Sequence, residues 1–255
     1  MITLRDIHKS FSAADNTRGG ATSARVEVLR GISLDIVPGR VTTIVGPSGA
    51  GKSTLLNILG TLARPDLGSV HYDSTDVLAL RDNALARFRN ANIGFVFQTH
   101  RLLPEFAIEE NVAMPALIAG RNRGHALADA RRLLADLGLG HRLRHRPAQL
   151  SGGECQRAAV ARALINDPDT ILADEPTGSL DSANRRELYR IIFGLRDRMH
   201  KTFVIVTHDE DLAEGSDRVI HLRDGLIADD SALHMPTPDD ISTDTSDNNQ
   251  NTNPK

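Results

Sequence analysis

The segment 46–54, which reads GPSGAGKST, constrains the fold of this chain more than any other stretch of its sequence. It follows the apolar run 41–45 and precedes the helical pattern 53–59, so the order is strand, loop, helix. Glycines in such a loop let backbone N–H groups approach a phosphate closely, and the start of the helix adds partial positive charge. The sequence therefore predicts a phosphate-binding loop within an α/β fold.

The residue types in this loop match the chemistry of a nucleoside triphosphate, which we expect to be ATP. Lys52 is expected to reach the β and γ phosphates, and the hydroxyl of Ser53 is expected to bind Mg²⁺. The alternative is a glycine loop that is only flexible. The residues expected to contact the nucleotide are Gly46, Pro47, Ser48, Gly49, Ala50, Gly51, Lys52, Ser53 and Thr54.

The composition is that of an ordinary globular protein, with 40% hydrophobic and 25% charged residues among 255. A net charge of -3 argues against nucleic acid as the principal partner, because binding to a phosphate backbone requires clustered Lys and Arg. The single cysteine fits a reducing compartment. The first residues lack the apolar core of a signal peptide, and no run of about 18 apolar residues occurs. We therefore expect a cytoplasmic protein that reaches a membrane only through a partner.

Short apolar runs alternate with longer helical patterns, which is typical of a mostly parallel sheet flanked by helices. Strands are predicted at 25–29, 32–36, 41–45, 69–72, 93–97, 170–173, 203–206 and 218–222. Helices are predicted at 52–62, 82–90, 108–118, 126–137, 153–165, 182–199 and 209–216. The early strands alternate in polarity and are expected to form an antiparallel subdomain beside the core.

The segment 98–166 has a helical pattern throughout, which predicts a helical subdomain inserted into the core. We expect one domain over 1–229 and a tail over 230–255 that is mostly disordered, because it has almost no large apolar side chains. The polar, turn-rich segment 12–24 is predicted to be a flexible excursion.

Two acidic residues, Asp174 and Glu175, end the apolar run 170–173. We expect them beside the strand that leads into the phosphate loop, where Asp174 would hold Mg²⁺, in part through water. Glu175 would then polarise the attacking water. The alternative is an acidic pair that only begins a turn or helix.

The segment 150–154, LSGGE, precedes another helical pattern. Ser151, Gly152 and Gly153 at a helix N-terminus form a second possible anion site, although a plain N-cap is the simpler interpretation. A second anion site this far along the chain makes more sense if it closes on the ATP of another copy.

Three single residues are further candidates. Gln98 follows a strand and could reach Mg²⁺, His208 follows another strand and could contact the γ phosphate, and Phe11 could stack on adenine. Taken alone, each has an ordinary alternative: a surface loop glutamine, a structural histidine and a core aromatic residue.

Together, GPSGAGKST, Gln98, LSGGE, LADEPTGSLD and THD strongly resemble the nucleotide-binding subunits of ATP-binding cassette (ABC) transporters. The resemblance covers residues 2–229 and implies a P-loop NTPase core with an antiparallel β subdomain and an inserted α-helical subdomain. It also implies a head-to-tail homodimer, in which two ATP molecules lie between the phosphate loop of one copy and the LSGGE segment of the other.

The resemblance assigns a role to each single candidate. Glu175 is then the catalytic base and His208 a switch histidine. Gln98 belongs to a loop that senses the membrane partner, Phe11 stacks on adenine, and Asp181 lies at the dimer seam.

Within this family, the segment 94–106 (GFVFQTHRLLPEF) and the segment 110–115 (ENVAMP) are similar to the ATPases of lipoprotein-releasing exporters. This similarity implies integral membrane permease subunits as partners and a peripheral location on the cytoplasmic side of the inner membrane. Macrolide-exporter-like and cell-division-like cassettes, which act as an ATP-dependent clamp on a membrane protein, are the alternatives. A soluble cassette that acts on DNA or ribosomes is a third class, but such proteins normally carry two cassettes in tandem.

Overall fold

The computed structural model describes residues 1–12 and 25–232. The predicted excursion, apart from its first residue Ser12, lies outside the described residues. The same is true of the predicted tail from residue 233 onward.

Two sheets and seven helices make up the described part of the chain. The strands are β1 (Ile2–Ser12), β2 (Arg25–Ile36), β3 (Val41–Val45), β4 (Leu67–Tyr72), β5 (Thr75–Asp76), β6 (Ile93–Phe97), β7 (Thr170–Asp174), β8 (Thr202–Val206), β9 (Arg218–Arg223) and β10 (Leu226–Ala232). The helices are α1 (Lys52–Leu59), α2 (Asp82–Asn92), α3 (Ile108–Ile118), α4 (Arg123–Asp136), α5 (Gly152–Leu164), α6 (Ser182–Met199) and α7 (Glu210–Glu214).

The larger sheet has the strand order β10-β9-β3-β8-β7-β6 and is parallel except for β10. Its central strands are apolar on both faces: Leu172 and Val204 belong to one core, and Ile171 and Ile205 belong to the other. Such double burial explains why these runs are nearly continuous in apolar residues. The parallel arrangement brings the carboxyl ends of β3, β8 and β7 to one edge of the sheet.

The smaller sheet is antiparallel with the order β2-β1-β4-β5, which confirms the predicted antiparallel arrangement of the early strands. No bounds were predicted for strand β1. Its buried residues Ile2, Leu4 and Ile7 are separated by an irregularity at Asp6, which has a φ of 50° and breaks the strict alternation. Strand β2 was predicted as two strands, but it is continuous across Gly31, which has a φ of 84° and forms a bulge between the paired residues Arg30 and Ile32.

Helices α3, α4 and α5 pack around a third core, whose fully buried members include Ile108, Leu134 and Ala158. These three helices correspond to the helices predicted at 108–118, 126–137 and 153–165, and the connections between them are loops apart from a short 3-10 helix at Pro147–Gln149. Before α3, the side chain of Asn111 bonds the backbone of Leu103 through its N–H and C=O groups, and it also bonds two further carbonyls. One buried amide thus replaces the hydrogen bonds that a helix would have supplied.

Smaller differences concern the ends of elements. Helix α1 ends at Leu59 rather than at residue 62, and α4 begins earlier than predicted because Asn122 caps it by accepting from the N–H of Gly124. Strand β10 was not predicted, and it includes residues 230–232, which the sequence had assigned to the tail. Within the described residues, no helix is long and apolar enough to cross a membrane.

Candidate active site

The phosphate loop joins β3 to α1, as predicted. Its last residue, Gly51, is the N-cap of α1 and has a φ of 102°. Lys52 begins the helix, and its Nζ donates to the carbonyl oxygens of Gly46 at 2.7 Å and Pro47 at 3.1 Å. These bonds fold the lysine side chain back over the loop, so its ammonium group lies where phosphate oxygens would bind.

Two of the glycines are required by close packing. A Cβ atom on Gly46 would lie 2.0 Å from the carbonyl oxygen of Leu222, and the φ of Gly46 is 153°. A Cβ atom on Gly51 would lie 2.9 Å from the carbonyl oxygen of Val28. The loop can therefore keep this shape only with glycine at both positions.

Ser53 and Asp174 meet across the sheet edge. The hydroxyl of Ser53 donates to Oδ1 of Asp174 at 3.1 Å. The sequence predicted that the strand of Asp174 lies next to β3, and this was wrong. Strand β8 lies between them, and Val206 pairs with both Ile44 and Asp174. Burial raises the pKa of Asp174, and the nearby charge of Glu175 adds to that rise, while the bond from Ser53 opposes it. A hydroxyl and a carboxylate in contact are oxygen ligands of the kind that Mg²⁺ prefers.

Glu175 leaves β7 in a left-handed backbone conformation, with a φ of 47°. Its N–H donates to the carbonyl of Val206 at 2.8 Å, which fixes the turn. Its carboxylate Oε2 accepts from the hydroxyl of Thr207 at 3.3 Å and lies 2.9 Å from Nδ1 of His208. The carboxylate is mostly buried, whereas the side chain of His208 is 73% exposed. The backbone conformation thus directs the Glu175 side chain toward His208 rather than along the strand.

Most of the predicted nucleotide contacts line one cavity of about 700 Å³. Its lining consists of Phe11, Val28, Gly46, Pro47, Ser48, Gly49, Gly51, Lys52, Ser53, Thr54, Glu175, Val206 and His208. Ala50 does not line it, because its side chain is buried in the core. The cavity thus brings together the phosphate loop, Glu175, His208 and Phe11, although more than thirty residues of sequence separate Phe11 from the loop. Asp174 does not line the cavity, but it contacts the loop through Ser53.

Gln98 lies beside this cavity without lining it. It follows Phe97, which pairs with Asp174, so it occupies the same edge of the sheet. A Cβ atom on Gly178 would lie 2.8 Å from the Gln98 amide nitrogen. Gln98 therefore packs against the turn that follows Glu175.

Ser151, Gly152 and Gly153 begin α5 and do not line the cavity. Ser151 caps the helix: its hydroxyl accepts from the N–H of Glu154 at 3.2 Å, while Oε2 of Glu154 accepts from the N–H of Ser151 at 2.8 Å. Arg142 also donates to Glu154, at 3.0 Å. These bonds lower the pKa of Glu154, with the backbone bond from Ser151 as the largest cause. The capping box fixes the direction of the exposed helix end.

Asp181 is connected to this helix end through Asn184. Asp181 caps α6 by accepting from the N–H groups of Ala183 and Asn184, and the side-chain amide of Asn184 donates to its other oxygen at 2.8 Å. A Cβ atom on Gly153 would lie 2.0 Å from Oδ1 of Asn184. No role was predicted for Asn184, whose only signal in the sequence is its position three residues after Asp181. Thr207 belongs to the segment THD, but no role was predicted for its side chain.

A parallel sheet that places a strand–loop–helix phosphate site beside an acidic strand end defines a P-loop nucleotide-binding protein. The ABC transporter family model matches residues 29–178. The chain belongs to the ABC transporter family and is an ATPase, which confirms the resemblance found in the sequence.

Similar proteins agree with this assignment. The chain is 53% identical over 227 residues to the "Lipoprotein-releasing system ATP-binding protein LolD" of Porphyromonas gingivalis, covering 89% of this chain and 98% of that relative. It is 46% identical to the "Macrolide export ATP-binding/permease protein MacB" of Marinobacter nauticus, covering 93% of this chain and 35% of that relative. A solved dimer of the ATP-binding cassette MJ0796, bound to ADP and Pi, is 35% identical with a TM-score of 0.83, covering 92% of this chain and all of that one. The last match confirms the predicted fold class.

Proposed function

We propose that this chain is the ATP-hydrolysing subunit of an exporter that releases lipoproteins from the inner membrane. It would act with integral membrane permease subunits, as a peripheral protein on the cytoplasmic side. The observation that carries the proposal is the 53% identity to LolD along nearly the whole of both chains. A macrolide exporter is the second candidate, because the MacB relative matches the chain at 46% identity.

The phosphate end of the site consists of Lys52, Ser53, Asp174 and the backbone of the loop. Lys52 would release the loop carbonyls and neutralise β and γ phosphate oxygens. Ser53 and Asp174 fit a Mg²⁺ site, with Gln98 at the same sheet edge as a further ligand. Bound Mg²⁺ would neutralise part of the negative charge of the phosphates.

Glu175 is the proposed general base, since its carboxylate lines the cavity beside the phosphate loop. It would accept the proton of the attacking water, with its position held by the hydroxyl of Thr207. His208, which contacts Glu175 and lines the same cavity, would contact the γ phosphate. Phe11 would cover the adenine ring at the opposite end.

The second half of each ATP site would come from another copy of the chain. Ser151, Gly152 and Gly153 form a capped helix end that lies outside the cavity of their own chain, and the similar cassette MJ0796 is dimeric. In a head-to-tail homodimer this helix end would meet the γ phosphate of the partner's ATP. Asp181, which is held beside the same helix end, would lie at the seam.

A groove of about 450 Å³ between the core and the helical subdomain is the proposed permease contact. It exposes the apolar side chains of Leu62 and Ile118, which are 47% and 72% exposed. The guanidinium of Arg101 stacks on Phe97 at 4.1 Å, and Arg162 donates only to backbone carbonyls. Since neither arginine has a carboxylate partner within the described residues, a permease segment with apolar and acidic side chains would fit.

The test uses inner-membrane vesicles that contain the permease proteins encoded beside this chain, loaded with a labelled lipoprotein. With the wild-type chain and ATP, label is expected in the soluble fraction, and with Glu175→Gln it is expected to stay in the membrane. Efflux of a labelled macrolide without lipoprotein release would instead support the second candidate. ATP turnover that the permease proteins do not change would contradict both.

A further inference from the structure

Asp66 lies at the point where β1 loses one of its two neighbouring strands. The pairing of β1 with β4 ends at His8 and Leu67, and the N–H of Asp66 donates to the carbonyl of His8 at 2.8 Å. Beyond His8, β1 continues to Ser12, and among residues 1–12 and 25–232 only β2 pairs with this part of it. A strand end paired on one side alone opens more easily than one in the middle of a sheet.

The carboxylate of Asp66 accepts hydrogen bonds from the part of β1 that β4 no longer pairs with. Oδ2 accepts from the N–H of Ser10 at 2.8 Å and from its hydroxyl at 2.7 Å, and Oδ1 accepts from Nζ of Lys9 at 3.0 Å. Arg25, the first residue of β2, also donates to Oδ2, at 3.1 Å. The hydroxyl of Ser10, followed by Lys9, holds the pKa of Asp66 well below its ordinary value. One charged carboxylate therefore ties the ends of β1 and β2 together.

Phe11 is the residue that follows Ser10, and it depends on this attachment. Phe11 lines the nucleotide cavity, yet it is 48% exposed and belongs to none of the three buried cores that the described residues form. The ammonium group of Lys9 lies 5.5 Å from the centroid of the ring, which adds a cation–π contact on the same side of β1. Since core packing does not fix the ring, the backbone at the end of β1 does.

We propose that Asp66 is a positioning residue for nucleotide binding, whose carboxylate fixes the end of β1 and so holds Phe11 where adenine stacks. The inference rests on the proposed contact between Phe11 and adenine. It predicts that Asp66 sets the affinity for the base and leaves the affinity for the phosphates unchanged.

The experiment measures dissociation constants of ATP and of inorganic tripolyphosphate, each with Mg²⁺, for the full chain and its variants. Phe11→Ala is expected to weaken ATP binding about tenfold, the size expected for one stacked base, with tripolyphosphate unaffected. Asp66→Ala is expected to weaken ATP binding about threefold to tenfold, again without an effect on tripolyphosphate. In the double variant, Asp66→Ala is expected to add nothing, because the ring that it positions is gone.

Asp66→Asn is the milder variant. It replaces Asp66→Ala in the comparison of single and double variants if Asp66→Ala unfolds. It keeps a hydrogen-bond acceptor but loses the charge that pairs with Lys9 and Arg25, so a smaller loss is expected. Its matched control is Asp73→Asn, since Asp73 pairs with the amino group of Met1 at the other end of β1. This control is expected to bind ATP as the wild type does.

Equal losses for ATP and tripolyphosphate would give Asp66 a general structural role and overturn the proposal. Additive effects of the Phe11 and Asp66 substitutions would overturn it as well, and so would unchanged ATP binding in the Asp66 variants. If Phe11→Ala itself binds ATP normally, the assignment of Phe11 fails instead, so the two failures are distinguishable.

Discussion

The imidazole Nδ1 of His208 lies 2.9 Å from Oε2 of Glu175, the same oxygen that accepts from the hydroxyl of Thr207. These residues end neighbouring strands, β7 and β8, so their contact depends on strand pairing rather than on closeness in sequence. The hydroxyl of Thr207 and the imidazole of His208 thus meet on one oxygen of the Glu175 carboxylate. This arrangement leads to the first two predictions.

Glu175→Gln is expected to lower ATP turnover about 10²- to 10⁴-fold while ATP affinity changes less than about twofold, because the amide keeps the shape but cannot take a proton. Steady-state hydrolysis and equilibrium binding of a fluorescent ATP analogue measure the two quantities. The matched control is Glu214→Gln, on the exposed end of α7, which is expected to hydrolyse ATP as the wild type does. If Glu175→Gln turns over at the wild-type rate, the base lies elsewhere.

Thr207→Val is expected to lower kcat about tenfold with little change in KM for ATP, because it removes a hydrogen bond to a charged group in a site of unchanged volume. The side chain is fully buried, and its hydroxyl also accepts from the N–H of Asp209. Thr207→Ser keeps the hydroxyl and is expected to restore most of kcat. A loss that falls on KM alone, or one that serine does not restore, would contradict a positioning role.

Gly153→Ala is expected to weaken ATP-driven dimerisation at least about tenfold, since a shift of one helix end at a well-packed interface costs more than about 1.4 kcal/mol. The added methyl group would meet the side chain of Asn184 and separate α5 from Asp181. Sedimentation with ATP in a Glu175→Gln background measures the dimer. ATP binding by the monomer is expected to be unchanged.

Gly152→Ala is the comparison for protein stability, because it adds a methyl group to the same helix end without a close contact. A Cβ atom on Gly152 has only Leu180 near it, at 3.9 Å, so the melting temperature is expected to stay at the wild-type value. A Gly153→Ala chain that dimerises like the wild type would contradict the proposed role of this helix end.

Asp174→Asn is expected to raise the melting temperature at neutral pH while abolishing ATP turnover. Burial raises the pKa of Asp174 above its ordinary value of 3.8, so at neutral pH its charge destabilises the folded chain.

The stabilisation by Asp174→Asn is expected to depend on pH. Between 3.8 and the raised pKa, the folded chain binds more protons than the unfolded chain, so the contribution of Asp174 to stability falls as pH rises through that window. The advantage of Asp174→Asn is therefore expected to be largest at neutral pH and to vanish below pH 3.8. Asp136→Asn, at an exposed position on α4, is the control. An advantage that persists at low pH would show a cause other than burial of the charge.

The sequence predicted the parts of the fold that depend on neighbouring residues. The phosphate loop lies within nine consecutive positions, and the buried strands β7 and β8 are continuous apolar runs, so local pattern was sufficient for both. It gave no bounds for β1, whose alternation is broken at Asp6, and it gave no account of the loop before α3, where Asn111 satisfies the backbone.

Tertiary structure alone decided which side chains meet at the site. The bond between Ser53 and Asp174 joins residues 121 positions apart, and the bond between Ser10 and Asp66 joins residues 56 apart. No local pattern encodes such pairs, because they follow from the order of strands in each sheet and from where each strand ends. The sequence by itself thus specifies a phosphate loop, while the packing of the two sheets decides which carboxylates and which aromatic ring lie beside that loop.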